Sequence, residues 1–207
     1  MSVITIFLSA LFWVYIDTVK ILNNDRIANS SLIHSFFAAI YSNCACIMYP
    51  QLIYDYPSIK GNIPSWLITF LFISYGYGFR DMYFGIKNRK MDEIAHAIIY
   101  LLSCSGAYYY NEITTLTVPF ILESSSFFLN LLPLNNEIVD ISFFITFSFY
   151  RFVVLPTFAY YYCTNNENVG IQTMFIGAVV MTSLNIYWFY LICKKAVRRY
   201  KRNKIVS

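Results

Sequence analysis

Seven long apolar stretches run through the chain, and they restrict its fold more than any other feature. A helix needs about 20 mainly apolar residues to cross a bilayer. Of the 207 residues, 58% are hydrophobic and 13% are charged, which is more apolar surface than a soluble domain of this length could bury. The sequence therefore predicts an all-α integral membrane protein with seven transmembrane helices. The predicted spans lie near residues 3–22, 32–49, 65–86, 94–110, 114–132, 138–162 and 170–193.

The basic residues lie mostly on one side of this predicted arrangement. Most Lys and Arg residues fall after the first stretch, between the third and fourth stretches, or in the tail from Lys194 to Lys204. The loops on the opposite side carry only Lys60. Positively charged loops stay in the cytosol, so we expect a lumenal N-terminus, a cytosolic C-terminus and an odd number of spans.

Polar residues interrupt stretches that would otherwise be surrounded by hydrocarbon. A charged side chain at mid-bilayer costs about 2.5–3.5 kcal/mol, so such residues usually face the interior of a helix bundle and mark function. The residues concerned are His34, Asp81, His96, Glu123, Asn130, Arg151 and Asn185.

Counting along neighbouring helices at about 1.5 Å per residue predicts two pairs among these residues. Asp81 and His96 lie equally far from the loop between stretches three and four. They form either a dyad for acid–base chemistry or a polar bridge that pins two helices. Glu123 and Arg151 lie equally far from the connection between stretches five and six and should form an ion pair. Alternatively, Arg151 holds a lipid phosphate or carboxylate.

Five polar residues from five different stretches share the depth of the cytosolic half. They are His34, Asp81, His96, Asn130 and Asn185, and Trp188 follows the last of them by three positions. Scattered packing bonds would not gather at one level. The convergence therefore predicts a polar-headed cavity that opens toward the cytosol.

Five strings resemble those of the TRAM–LAG1–CLN8 (TLC) family, and the closest likeness is to its small members of the TLC-domain-containing protein 4 type. The strings are residues 74–81 (SYGYGFRD), 123–130 (ESSSFFLN), 149–156 (FYRFVVLP) and 185–188 (NIYW), and Arg26 with Ser31 and His34. The resemblance implies a six-helix barrel, built from spans two to seven around a lipid-sized cavity, with span one outside. Residues 1–25 are then an N-terminal transmembrane helix, 26–200 the TLC domain and 201–207 the end of a basic cytosolic tail.

Two departures from the family pattern bear on activity. The family usually carries a His-His pair where this chain has Ala95-His96. The longer motif of the ceramide-synthase branch is also missing. Formation of ceramide therefore fits this chain poorly.

Three functions remain open. The first is a non-enzymatic or weakly enzymatic protein that handles lipid in the cavity and acts in membrane lipid homeostasis. The second is an acyl-CoA-dependent acyltransferase with His96 as base or nucleophile, Asp81 orienting it and His34 assisting. The third is an endomembrane cargo-sorting receptor. The expected lipid-binding residues are Glu123, Asn130, Arg151, Asn185 and Trp188.

The expected partners are membrane lipids, including fatty acyl chains or acyl-CoA, with anionic lipid headgroups at the basic tail. We expect no cofactor, and no nucleic acid because no folded soluble module accompanies the basic tail. We expect no metal because the five cysteines show no metal-ligand spacing. The resemblance implies the endoplasmic reticulum or a related endomembrane. The glycosylation sequon at Asn29 should stay unmodified because it falls on the cytosolic side.

Overall fold

The computed structural model of the chain describes residues 3–19, 29–54, 65–109, 117–165, 179–194 and 197, and their regular structure is entirely helical. The helices, in chain order, are α1 (Val3–Ile16), α2 (Asn29–Met48), α3 (Gln51–Tyr54), α4 (Ser65–Asn88), α5 (Met91–Tyr109), α6 (Thr117–Phe120), α7 (Glu123–Leu131), α8 (Glu137–Phe149), α9 (Leu155–Asn165) and α10 (Val179–Lys194). A 3₁₀ turn (Leu132–Leu134) follows α7, and a π-helical segment (Tyr150–Val154) joins α8 to α9.

The described helices confirm the all-α class and overlap all seven predicted stretches. Two of them, Asn29–Met48 and the continuous run Glu137–Tyr161, are long and apolar enough to cross a membrane by length and composition. Helix α4 has 24 residues, but Arg80 and Asp81 interrupt its apolar character. The predicted stretch 114–132 is divided between α6 and α7 by a turn at residues 121–122. The count of seven spans stays a prediction.

Helix α1 packs along α4, although the resemblance implies a first span outside the barrel. The Ser9 hydroxyl and the Trp13 indole N–H both donate to the backbone carbonyl of Ile73, at 2.8 and 3.0 Å. Gly76 lies against Ser9 so closely that a Cβ there would come within 2.5 Å of its Oγ. The helices approach this closely because residue 76 has no side chain.

Helices α4 and α5 form an antiparallel hairpin with a tight turn. Arg89 adopts a positive φ of 55° in this turn, and the Lys90 amide donates to the carbonyl of Gly85 at 3.0 Å. A Cβ on Gly78 would meet the Tyr100 ring at 2.6 Å. Small residues on α4 thus let two helices approach from opposite sides.

Apolar and polar residues separate toward opposite ends of the hairpin. Buried apolar residues pack together at the end far from the Arg89 turn, among them Ala38, Leu71, Cys104, Ala107 and Phe120. Charged side chains face inward near the turn end, where α10 also joins the packing. There Phe189 of α10 contacts Phe147 and Phe152. The interior of the fold is therefore polar at the end that holds the Arg89 turn and apolar at the opposite end.

Helix α8 begins with a complete cap. The Asn136 side chain accepts from the amides of Ile138 and Val139, at 2.9 and 3.4 Å, and Asp140 lies in the first turn. The cap satisfies two amides that have no partner within the helix, and the carboxylate suits the positive end of its dipole.

Candidate functional site

A cavity of about 780 Å³ opens among the helices near the α4–α5 turn. Its wall combines charged, polar and aromatic side chains from the end of α1 and from α2, α4, α5, α7, α8 and α10. Charged residues of the wall are Asp17, Arg80, Asp81, Lys90, Glu93, Glu123 and Arg151. Its uncharged polar and aromatic residues include Tyr77, His96, Ser126, Asn130, Phe147 and Trp188.

Arg80 binds two carboxylates in this wall. Its Nε donates to Asp17 at 2.7 Å, its Nη2 also bonds the Asp17 carboxylate, and its Nη1 donates to Asp81 at 2.6 Å. The Arg80 side chain is only 8% exposed. From the end of a span a long basic side chain can reach the lipid headgroups, but the guanidinium of Arg80 stays inside because two acidic partners hold it there.

Asp17 also joins α1 to the start of α2. Its second oxygen accepts the backbone amide of Ser30 at 3.0 Å, one of the amides that has no partner inside α2. The side chain of Asn29 donates to the carbonyl of Val19. Asn29 is buried in this junction, which is a second reason to expect its sequon to stay unmodified.

The π-helical segment holds Arg151 in the wall. Pro156 lacks a backbone N–H and so cannot bond the carbonyl four residues earlier, a common cause of such irregularities. Within the segment, the Leu155 amide bonds the Tyr150 carbonyl five residues back. Arg151 is 6% exposed, and its Cζ lies 4.9 Å from the centre of the Phe147 ring.

Uncharged acceptors occupy three donors of Arg151. Its Nε donates to Ser125 at 3.0 Å, its Nη1 to Asn185 at 2.6 Å and its Nη2 to Ser126 at 3.3 Å. The predicted ion pair with Glu123 is therefore wrong as a direct contact, since no such pair occurs among the described residues. Both groups line the cavity and remain close enough to attract each other.

Asp81 and His96 also line the cavity without forming the predicted dyad. Arg80 occupies the Asp81 carboxylate instead. Nδ1 of His96 is buried and has no hydrogen-bond partner in the described part of the chain, and its ring centre lies 6.1 Å from that of Trp188. The structure brings the pair to one cavity but gives the imidazole no carboxylate to orient it.

His34 and Asn185 lie behind the wall. His34 is 1% exposed, shares a hydrogen bond with Ser74 at 3.1 Å and stacks on Tyr77 with ring centres 3.8 Å apart. Asn185 is fully buried and supports Arg151. Of the eight predicted site residues, these two support lining residues, whereas Asp81, His96, Glu123, Asn130, Arg151 and Trp188 line the cavity themselves.

Asn130 connects the cavity wall to α2, since its Nδ2 donates to the Ser35 hydroxyl at 3.1 Å. The four residues 123–126 at the start of α7 (ESSS) face different parts of the structure. Glu123 and Ser126 line the cavity, Ser125 accepts from Arg151, and Ser124 accepts from Asn43 of α2 at 2.9 Å.

Sequence reasoning missed Asp17, Arg80, Tyr77 and Ser126. Counting residues along the helices could have indicated Asp17 and Arg80, because the end of the first stretch and residue 80 lie on the same side of the predicted membrane. Both appeared to be surface groups because each has a short route to the headgroups. The aromatic and hydroxyl residues have no comparable signal, since similar residues occur throughout the chain.

The site holds fixed charges of both signs in a partly enclosed space. Such a site can orient a polar ligand by charge and hydrogen bonding while apolar helix faces surround it. Among the described residues, no group of three or more His, Cys, Asp or Glu side chains could hold a metal ion.

Comparison with known proteins identifies the family. No curated protein and no solved structure matches the chain. The family model described as the TLC domain of TRAM, LAG1 and CLN8 matches residues 28–194. That range includes most of the described helices and every cavity residue except Asp17. The chain therefore belongs to the TLC-domain family of membrane proteins, a family with lipid-related functions.

Proposed function

We propose that this protein holds the polar end of a membrane lipid in its cavity and acts in membrane lipid homeostasis. The observation that carries the proposal is a cavity of about 780 Å³ with charged walls, enclosed by helices whose outer faces are apolar. Exposed apolar residues on those faces include Phe37, Leu102, Ile138 and Ile145. A lipid satisfies both environments, because its head suits the polar interior and its chains suit the surrounding bilayer.

The proposed location is the endoplasmic reticulum or a related endomembrane, with seven spans, a lumenal N-terminus and a cytosolic C-terminus. The cavity then opens on the cytosolic side, because the α4–α5 turn carries Lys87, Arg89 and Lys90. The basic tail contacts anionic headgroups of the same leaflet. Salt-sensitive binding of a tail peptide to vesicles that contain phosphatidylserine tests this last contact. Membership of the TLC-domain-containing protein 4 type remains part of the proposal.

Lipid that co-purifies with the protein tests the main proposal. Leu129→Trp adds bulk at the cavity, and Leu134→Trp makes the same change at an exposed residue outside the lining. We expect the wild type and Leu134→Trp to carry lipid after detergent extraction, and Leu129→Trp to lose most of it. Equal lipid content in both variants, or none in the wild type, would contradict the proposal.

An acyltransferase activity is the second candidate, favoured by the imidazole of His96 at the cavity wall with its unpartnered Nδ1. In that reaction His96 removes a proton from an amine or hydroxyl acceptor, which attacks the thioester carbonyl of acyl-CoA and releases coenzyme A as the thiolate. Asp81 and His34 are engaged elsewhere, so His96 acts without the orienting carboxylate that sequence reasoning assigned to it.

The discriminating assay incubates purified protein with acyl-CoA and lipid acceptors and compares wild type with His96→Ala. Product from the wild type that disappears in His96→Ala supports transfer. Product that is equal with the two proteins removes this mechanism. Comparison of whole-cell lipids after expression of the same two proteins separates handling from transfer, because handling does not require the imidazole as a base.

A further inference from the structure

The charges in the cavity wall do not balance. Its described lining contains four carboxylates and three cationic side chains. Lys90 and Glu93 form a pair at 2.6 Å with both side chains about half exposed. Farther inside, Arg80 is shared by Asp17 and Asp81, so that cluster keeps one negative charge in excess.

Glu123 faces the same part of the cavity as this excess charge. Its carboxyl group is attracted by Arg151, interacts with the Ser126 hydroxyl and is repelled by Asp81, and the attraction to Arg151 is the strongest of the three. No Lys, Arg or His nitrogen lies within 4 Å of Glu123 among the described residues. Carboxylates held away from water are unfavourable unless a cation neutralises them. Asp17, Asp81 and Glu123 together face two guanidinium groups, Arg80 and Arg151, so this part of the wall lacks one cation. A ligand with a positive charge would supply it.

Arg151 carries the opposite charge in the same wall, near enough to attract Glu123 but without a direct ion pair among the described residues. A guanidinium has five N–H donors, and the three hydrogen bonds described above leave two of them. Its remaining donors suit an anionic oxygen, and a phosphate accepts such a pair well. His96 adds a buried ring nitrogen beside Trp188, and no described residue forms a hydrogen bond with it.

The aromatic rings of the cavity bear on the kind of cation. A quaternary ammonium has no N–H to donate and is usually held by unoccupied aromatic faces. Here the Phe147 and Trp188 rings lie 4.9 and 5.6 Å from Cζ of Arg151, and the Phe84 ring lies 4.5 Å from Cζ of Arg80. Guanidinium groups already occupy these faces. Carboxylates, by contrast, accept directly from a primary ammonium.

We propose that the cavity selects a lipid headgroup that carries both a phosphate and a primary ammonium, as phosphatidylethanolamine does. The phosphate binds at Arg151, and the ammonium lies between Glu123 and Asp81. This inference rests on the proposed function, since it names the class of lipid that the same cavity holds.

Native mass spectrometry of the full chain tests the selection. Delipidated protein in dodecyl maltoside receives equal amounts of dioleoyl phosphatidylethanolamine, phosphatidylcholine and phosphatidylglycerol. We expect phosphatidylethanolamine to bind about tenfold better than either of the others, roughly the effect of one charge-assisted hydrogen bond. Equal binding of all three lipids overturns the selection but leaves lipid binding intact. Binding of none of them overturns the proposed function itself.

Matched variants assign the two charges. Glu123→Gln should lower the binding of phosphatidylethanolamine about tenfold and leave phosphatidylglycerol unchanged. Glu137→Gln, the same change at an exposed residue outside the cavity, should have no effect. Arg151→Gln should weaken both lipids, because both carry the phosphate. Unchanged selectivity in Glu123→Gln would overturn the assignment of the ammonium site.

Modified ligands keep the test valid if a variant fails to fold. N-acetylated phosphatidylethanolamine lacks the ammonium, so the wild type should bind it no better than phosphatidylglycerol. An undiminished affinity for the acetylated lipid would overturn the proposal. Free phosphoethanolamine separates headgroup recognition from lipid recognition. Displacement of the lipid only by a large excess supports a lipid ligand, whereas binding as tight as that of the whole lipid points to a soluble ligand and contradicts it.

Discussion

Arg80 shows most clearly how a residue can be misjudged when its neighbours in space are unknown. It lies near the end of α4, where a long side chain can reach the headgroups. In the fold it turns inward because Asp17, from the end of α1, and its own neighbour Asp81 both accept from it. One guanidinium thereby ties two helices together and forms part of the cavity wall.

Replacement of Arg80 with Gln should strongly destabilise the fold. Removal of the cation leaves the Asp17 and Asp81 carboxylates close together and little exposed, and breaking a buried charge pair costs about 3–5 kcal/mol. Thermal unfolding in detergent measures the loss as a lower Tm. Arg89→Gln, at the exposed turn, is the control and should leave Tm nearly unchanged. Equal Tm values for the two variants would show that the Arg80 cluster contributes little.

Arg151 makes the same point about partners. Arg151 and Glu123 lie equally far along the chain from the connection between α7 and α8, and both line the cavity, as that spacing predicts. The distance could not predict that Ser125, Ser126 and Asn185 would take the guanidinium's donors. Depth follows from counting residues, whereas the choice of partner depends on rotation about each helix axis, which the π-helical segment changes near Arg151.

Asn185→Ala should weaken the support of Arg151. The change leaves Nη1 of a buried guanidinium without its 2.6 Å acceptor, and an unsatisfied buried donor costs about 1–3 kcal/mol, more when it is charged. A lower Tm in detergent measures this cost. The same change at exposed Asn88 should have little effect, and a similar loss there would contradict a specific role for Asn185.

At the scale of helices, α1 is a structural partner of α4 and contributes to the cavity. Ser9 and Trp13 bond the Ile73 carbonyl, and the junction after α1 supplies Asp17. Apolarity alone predicts that α1 exists, but every lipid-facing helix shares that property. Gly76 is small enough to admit a neighbouring helix, but a small residue in the sequence does not identify which helix approaches it.

A methyl group at residue 76 should separate the two helices. In Gly76→Ala the new Cβ would lie 2.5–2.8 Å from Ser9 and from the backbone of Ala10, so we expect a loss of about 1–3 kcal/mol. Gly106→Ala is the matched control, because no atom of the described residues lies within 4 Å of a Cβ there. Alanine favours a helix over glycine by up to about 1 kcal/mol, so this control should be neutral or stabilising. Chemical denaturation in detergent compares the two, and equal stability would contradict the close approach.

For the whole molecule, the distribution of basic residues predicts its orientation in the membrane. An odd number of spans with the tail in the cytosol leaves most of the Lys and Arg residues on one side. Two of the described helices are each long and apolar enough to cross a membrane, and the number of seven spans is a prediction. Orientation therefore needs its own measurement.

Terminal epitope tags should show opposite accessibility. After selective permeabilisation of the plasma membrane, we expect antibody to reach a tag after Ser207 but not one before Met1. Opening of the internal membranes should expose both. Two tags that both label before that step would mean an even number of spans. Labelling of only the tag before Met1 would reverse the proposed opening of the cavity.

Hydropathy and charge patterns were sufficient to predict a helical membrane protein and most of the residues that gather around its polar interior, whereas the family was indicated by the resemblance of five short strings. They were sufficient because the bilayer penalises buried charge strongly enough to restrict where such residues lie along the helix axis. The partners of Arg80, Arg151 and His96 emerged only in the folded chain. Which side chains become hydrogen-bond partners depends on how each helix is rotated about its axis and on how closely the helices approach. Both are results of packing between segments far apart in the sequence.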